Sequence, residues 1–358
     1  MGVEEELLLV DPGSGVPLGL AGSVRDTEAG AELDGEMRPE QVETGSTPHT
    51  GAAELAADLR ARRRQAAEAA RGQGAAVAAL ATSPLPQGAA SAPPGRYAEI
   101  TDRFGAVASA QLTNGQHVHV EVDSREEGVA VLDRIGVWLP VLRALSANSP
   151  YWRGEDTGYA SYRSLVWTRW PSAGPTRVFG SVEAYDATVE AMLAGGALLD
   201  EGMVYFDARL ARNFPTVEVR VADVSVTVDD ALLIAVLTRA LVTTAADAWA
   251  AGEPPWDPPV EALRLAHWRA ARSGVHDMLV DPRSGRPAPA EEVVDALRSH
   301  VARALDDADD TDLVAEGCAR VLAGETGAAR QRAVHATDDL RAVVLDAVER
   351  GRVDDTAG

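Results

Sequence analysis

Three short stretches of this chain alternate with a period of two, and that pattern restricts the fold more than any other feature. In HVHVEV, His117, His119 and Glu121 share one strand face while Val118, Val120 and Val122 take the other. In TVEVRV, Glu218 and Arg220 lie opposite Val217, Val219 and Val221. At the start of the chain, GVEEELLLV puts Glu4 and Glu6 on the face of Leu8 and Val10, and Glu5 on the face of Leu7 and Leu9. Each strand thus turns an apolar side to a core and a functional side away from it. Solvated sheet faces usually mix Thr, Ser, Lys and Gln, whereas these carry carboxylate, imidazole and guanidinium almost exclusively. Burial without a partner costs about 2–7 kcal/mol even for a neutral polar group, so carboxylates beside a core call for a positive charge, and a metal ion is one candidate. The competing reading is an antiparallel sheet whose outer face is simply wet.

One-sided strands alternating with helical stretches predict an α+β fold rather than a doubly wound sheet, whose strands would be apolar on both faces. The spacing predicts helices over about 52–71, 129–148 and 181–199, and a mainly helical chain from 229 onward broken at EPPWDPPVE and DPRSGRPAP. Thr50 is the expected cap of the first of these, and its RARRR run reads as a solvated helix face. Residues 83–94, with four prolines, read as a loop, and the last few residues as a frayed end. The whole reads as one domain, 1–358, with a strand-rich core over about 1–230 and a helical part over about 231–350.

All 33 basic residues are arginine, against 55 acidic ones, for a net charge of −22. With no lysine there is no Walker lysine, Schiff-base lysine or kinase-type lysine. The acidic balance argues against nucleic-acid partners, whose binding relies on neutralising phosphates. The single cysteine, Cys318, excludes an intrachain disulfide; with no signal peptide or membrane-length apolar run, a cytoplasmic protein without membrane partners is expected. The charged faces suit hard cations and a polyphosphate: oxygen donors favour Mg²⁺, and imidazole tolerates Mn²⁺. Zinc is disfavoured by one cysteine and no HExxH. Glu36 and Glu43, seven residues apart in GEMRPEQVET, extend the acidic set. His49, His267, His276, His300 and His335 read as surface or satisfied histidines, and the tryptophans as core or helix packing, with Trp167 and Trp170 flanking Arg169.

GVEEELLLV, QVET, NGQHVHVEV, SPYWRGEDTGYASYRSLVWTRWP and TVEVRVADV, in this order, resemble the type 2 glutamate–cysteine ligase family, the carboxylate–amine ligases of the glutamine synthetase-like superfamily. The similarity runs from residue 2 to about residue 350, with HWRAARSGV agreeing in the C-terminal third. Asn114-Gly115 stands where the family commonly has Cys-Gly, and no cysteine follows QVET.

The resemblance implies a curved antiparallel sheet forming an open funnel flanked by helices, with ATP and Mg²⁺ on its concave side. It implies Glu4, Glu6, Glu36, Glu43, His117 and Glu218 as metal ligands, and His117, His119 and Arg220 at the nucleotide. Arg220, with Arg163 and Arg169, would act on the phosphoryl group or a substrate carboxylate. The implied reaction joins a small-molecule carboxylate to an amine through an acyl phosphate, nominally L-glutamate to L-cysteine, and the implied assembly is a homodimer. The alternatives are a different carboxylate and amine, an inactive Mg·ATP-binding regulatory protein, or a structural protein with solvated sheet faces.

Overall fold

The computed structural model describes residues 1–86 and 94–352. The middle of the expected loop, 87–93, and the expected frayed end, 353–358, lie outside the described residues. In chain order the strands are β1 (Gly2–Val10), β2 (Asp34–Gly35), β3 (Gln41–Gly45), β4 (Ala76–Ala78), β5 (Gly115–Glu121), β6 (Tyr151–Trp152), β7 (Glu155–Asp156), β8 (Ala208–Leu210), β9 (Thr216–Asp223), β10 (Met278–Asp281) and β11 (Arg286–Pro289). Seven of them form one open antiparallel sheet in the order β2-β3-β1-β5-β9-β8, with β4 also paired to β1. The expected α+β architecture with an open antiparallel sheet is the one observed.

The first strand explains the juxtaposition of EEE and LLLV. Its first half pairs with β5 and its last three residues with β4, while β3 runs along the other edge. Leu8 and Val10 share the face of Glu4 and Glu6, yet they are sealed by Ala78, Leu80 and Leu112 together with Val344, Ala347 and Val348 of the helix Leu340–Gly351. The opposite face packs Leu7 and Leu9 on Val42 and on Ala66, Ala69 and Ala70 of the helix Ala52–Gly72. Between those leucines and the cleft end, Glu5 is fully buried and accepts two bonds from Arg63, at 2.6 and 2.9 Å. Arg63 also donates to the carbonyls of Ser225 and Val226. One arginine of RARRR is therefore not on a solvated face; it neutralises the middle carboxylate of the opening triplet.

The valines of β5 and β9 pack into the main core with the helices Arg125–Ile135 and Val228–Ala250. The latter helix is long and apolar enough to cross a bilayer, but 67% of its apolar window is buried inside the protein. Three local expectations need correction. Helix Ala52–Gly72 starts on Gly51, with no side-chain cap, rather than on Thr50. The predicted helix over 129–148 is two, Arg125–Ile135 and Leu139–Leu145, because Pro140 lacks an N–H and fits only in a first turn. DPRSGRPAP is not a simple break: it contributes the turn and second strand of the β10–β11 hairpin, whose turn is held by bonds from Arg283 and Ser284 to Asp281.

His267 is neither a surface nor a satisfied histidine. It is buried beside Asp207 and Arg143, and neither ring nitrogen has a hydrogen-bond partner, although Nε2 lies 3.3 Å from Asp207. Burial first, then the Arg143 charge, pushes its pKa down to about 3, with Asp207 opposing. The unfolded chain, at its ordinary value of about 6.5, binds more protons between these limits, so the stability from a neutral His267 is complete above pH 6.5 and is lost toward pH 3. His267→Gln should flatten the acid limb of the stability profile by up to about 1.4 kcal/mol per pH unit in urea titrations. An unchanged slope would contradict the burial argument.

Candidate active site

The cleft arises from strand register. Across β1 and β5, Glu4 pairs with His117; across β5 and β9, His119 pairs with Glu218; across β1 and β3, Glu6 pairs with Glu43. Directly opposed side chains stand about 4.5–5.5 Å apart at Cβ, so the alternation seen in the sequence becomes one two-dimensional array of charged groups. A register shift between Gln116 and Val118 sets Arg220 and Val221 of β9 against His117, which aims Arg220 into the same array.

Glu4 sits at the centre. Its two oxygens lie 3.2 Å from His117 Nδ1 and 3.2 Å from His119 Nε2. Burial pushes its pKa up, but the hydrogen bond to His117 and the closeness of His119 outweigh this and hold it well below the usual carboxylate range. Glu218 behaves alike: burial opposes ionisation, and the charges of Arg220 and Arg209 overcome it. Arg209 reaches Glu218 with two nitrogens, at 2.7 and 3.3 Å, and Arg220 Nη1 bonds it from the other side. Glu6 accepts from the Gly115 N–H at 2.5 Å, and burial raises its pKa despite His117 and Arg163. Glu43 is pushed well above its ordinary value by burial, then by the charge of Glu36, a hydrogen bond to it, and the charges of Glu4 and Glu6. Burial, then the Arg220 charge, lowers His117, which favours the neutral ring that ligates metals.

Two groups of side chains have ligand atoms within 4.8 Å of one another: Glu4, His119 and Glu218, and Glu4, Glu43 and His117. They share Glu4, which would therefore belong to the ligand set of a cation held by either group. The buried Nε2 atoms of both histidines and Nε of Arg220 lack hydrogen-bond partners among the described residues. Oxygen-rich donors with two imidazoles and orphaned polar atoms fit divalent cations such as Mg²⁺ or Mn²⁺.

The surrounding cleft has a volume of ≈ 260 Å³. Of the ten side chains singled out from the sequence, Glu4, Glu6, Glu36, Glu43, His117, His119, Glu218 and Arg220 line it; Arg163 and Arg169 do not. Arg169 is exposed, and among the described residues its side chain reaches only the Tyr162 hydroxyl, at 3.4 Å. Arg163 is buried behind the cleft, 4.0 Å from Asp223, with its guanidinium pressed on Gly115. A Cβ at position 115 would fall 2.1 Å from Arg163 Nη2. Gly115→Ala should therefore cost about 1–3 kcal/mol in urea unfolding and disturb the N–H held by Glu6. Stability equal to the parent would show that Arg163 yields freely.

Sequence reasoning missed Arg209, Arg212, Phe214, Tyr97 and Tyr205, which also line the cleft. Arg209 lies on a three-residue strand, too short for alternation to show, and the rest sit in helices or turns without a period. Trp167, expected as core or helix packing, does pack partly on the main core but is also a half-buried wall of the cleft, with Arg163 and Arg220 over its ring at 5.8 and 5.9 Å.

Comparison with known proteins gives a consistent result. The family model described as "Glutamate-cysteine ligase family 2(GCS2)" matches residues 1–353. The chain is 49% identical over 341 residues to "Putative glutamate--cysteine ligase 2-1" of Paenarthrobacter aurescens (strain TC1), covering 92% of this chain and 89% of that one. It is 49% identical over 356 residues to "Putative glutamate--cysteine ligase 2" of Streptomyces coelicolor, covering 98% of both. Among solved structures, the glutamate–cysteine ligase of Francisella tularensis in complex with AMP superposes with a TM-score of 0.72 at 14% identity, covering 99% of this chain and 89% of that one. A bifunctional glutathione synthetase from Pasteurella multocida gives 0.68 at 16% identity, covering 98% of this chain and 52% of that one.

Proposed function

The chain belongs to glutamate-cysteine ligase family 2 and is an enzyme of the carboxylate–amine ligase type; from that premise we propose that it joins L-glutamate to L-cysteine at the expense of ATP, in the cleft built on Glu4. The observation that carries this reading is the pair of ligand groups sharing the Glu4 carboxylate, edged by Arg220. A substrate carboxylate oxygen attacks the γ-phosphorus of ATP, the bond to ADP breaks, and an acyl phosphate results. The amine nitrogen then attacks the acyl carbon, phosphate leaves, and the amine loses a proton. No covalent nucleophile is needed from the protein, which fits a cleft without lysine or cysteine.

When bound, Mg²⁺ or Mn²⁺ neutralises phosphate charge and orients the γ-phosphoryl group. Glu4, Glu43, Glu218, His117 and His119 are the residues that would hold it, with Glu6 and Glu36 beside them. Glu218 pairs with Arg220 and holds its guanidinium at the cleft, where it would meet the transferring phosphoryl. The AMP held by the Francisella protein supports a nucleotide in this fold. The partners on this reading are small molecules, not nucleic acid; a homodimer is the assembly we propose, in the cytoplasm.

The test is a set of single variants, Glu4→Gln, Glu43→Gln and Glu218→Gln. Each should lower ATP-dependent amide formation by at least about 10²-fold, the loss typical of removing one preorganised charge-stabilising group. Three variants with parental rates would refute the ligand assignment.

A further inference from the structure

The HWRAARSGV stretch supplies two residues that the cleft does not use, Trp268 and Arg269. Both lie on the helix Val260–Ser273, whose inner face of Leu263, Ala266, His267, Ala270 and Ala271 is buried. A helix of this kind turns polar side chains outward. This one instead turns out Leu265, the most exposed large apolar side chain among the described residues at 67%, and Trp268 at 47%. Trp268 is held in place, because its indole N–H donates to the Tyr159 hydroxyl at 3.2 Å. Both residues line a groove of ≈ 340 Å³ whose other side is Val280, Pro282 and Pro287 of the β10–β11 hairpin, and Arg269 is the only charged residue lining it. An ordered apolar face with a tryptophan and an arginine has the composition of an interface core.

The order of residues along the helix selects the occupant. Positions three and four away from Leu265 share its face, and they hold Ala262 and Glu261 before it, Trp268 and Arg269 after it. Neither Glu261 nor Arg269 makes a salt bridge among the described residues. At 1.5 Å rise per residue the two stand about 12 Å apart along the axis, too far to pair within one chain. Two copies of this helix crossing antiparallel at Leu265 would set each Glu261 against the partner's Arg269 and each Trp268 over the partner's Ala262. Charge then meets opposite charge and large meets small, the self-complementarity that a two-fold contact requires. The net charge of −22 makes two copies repel, so they can approach only on a face that is apolar and locally balanced.

We propose that the outer face of the helix Val260–Ser273, with the groove beside it, is the surface on which two copies of this chain pair, their helices antiparallel about a two-fold axis through Leu265. The inference rests on the homodimer proposed above and names its face; it is independent of the reaction and of the metal ligands.

The experiment is analytical ultracentrifugation of the full chain, with circular dichroism as the control for folding. The parent should sediment as a dimer, and Leu265→Asp as a monomer of parental helix content, since the side chain is exposed. Glu261→Arg and Arg269→Glu each set like charges face to face and should raise the dimer dissociation constant by at least about tenfold. The double reversal, Glu261→Arg/Arg269→Glu, should bring it back to within about threefold of the parent, which requires the two positions to meet between chains. A monomeric parent would overturn the homodimer and its face together, and its co-sedimentation with phosphatidylglycerol vesicles would assign the apolar face to a lipid surface. A dimer that survives Leu265→Asp would overturn this face while leaving the homodimer to another one. Charge reversals that weaken the dimer singly without rescue in the double variant would overturn the antiparallel pairing.

Discussion

Glu43→Gln is expected to raise the melting temperature of the metal-free protein while abolishing its stabilisation by Mg²⁺ and its turnover. Glu43 is half-buried against Glu36, with Glu4 and Glu6 close by, and no basic side chain makes a salt bridge with it among the described residues. Without a cation, folding brings four carboxylates together and must either tolerate their repulsion or protonate one of them. The pKa of Glu43 is raised by burial and these neighbours, so the penalty is absent below the ordinary carboxylate value near 4.5 and grows as pH rises above it. An amide of the same shape removes the charge, which should gain about 1–3 kcal/mol at neutral pH. The same change deletes one ligand of the Glu4, Glu43, His117 group, so added Mg²⁺ should no longer shift the melt. Scanning fluorimetry with EDTA and with Mg²⁺ checks both signs. A variant less stable than the parent in EDTA would contradict the account of the acidic cluster.

Arg63→Ala should be the most destabilising single change on the sheet, by about 3–5 kcal/mol, because it strands the buried Glu5 carboxylate and frees two carbonyls. Removing the charge as well, in Glu5→Leu/Arg63→Ala, should recover part of the loss, since an apolar residue needs no partner there. Urea midpoints of the two variants measure this. A double variant as unstable as Arg63→Ala would mean that the bonds to Ser225 and Val226, rather than the stranded charge, dominate.

These two expectations rest on opposite faces of one sheet, and only one face was legible in advance. Alternation in GVEEELLLV, HVHVEV and TVEVRV identifies Glu4, Glu6, His117, His119, Glu218 and Arg220 because period two is a local property of the backbone. The partner of Glu5 is 58 residues away on a helix, and no local pattern says which arginine of RARRR turns inward. Leu8 and Val10 share a parity with the cleft carboxylates yet belong to a core, because a C-terminal helix covers that half of the strand. Arg163 shows the converse: its segment carries the family resemblance, but it is buried beneath Gly115 and Asp223 instead of lining the cleft. Arg209 and the rim residues Arg212 and Phe214 come from a short strand and the turn after it, where tertiary contact alone decides position.

The most direct test of the central claim is to incubate the purified protein with Mg²⁺, ATP, L-glutamate and L-cysteine, and to follow ADP release together with the mass of any amide formed. The account predicts γ-glutamylcysteine and ADP in equal amounts, with no product when any one component is omitted. Nucleotide binding without ADP release would contradict the ligase reading, and ADP release without γ-glutamylcysteine would contradict the proposed substrate pair.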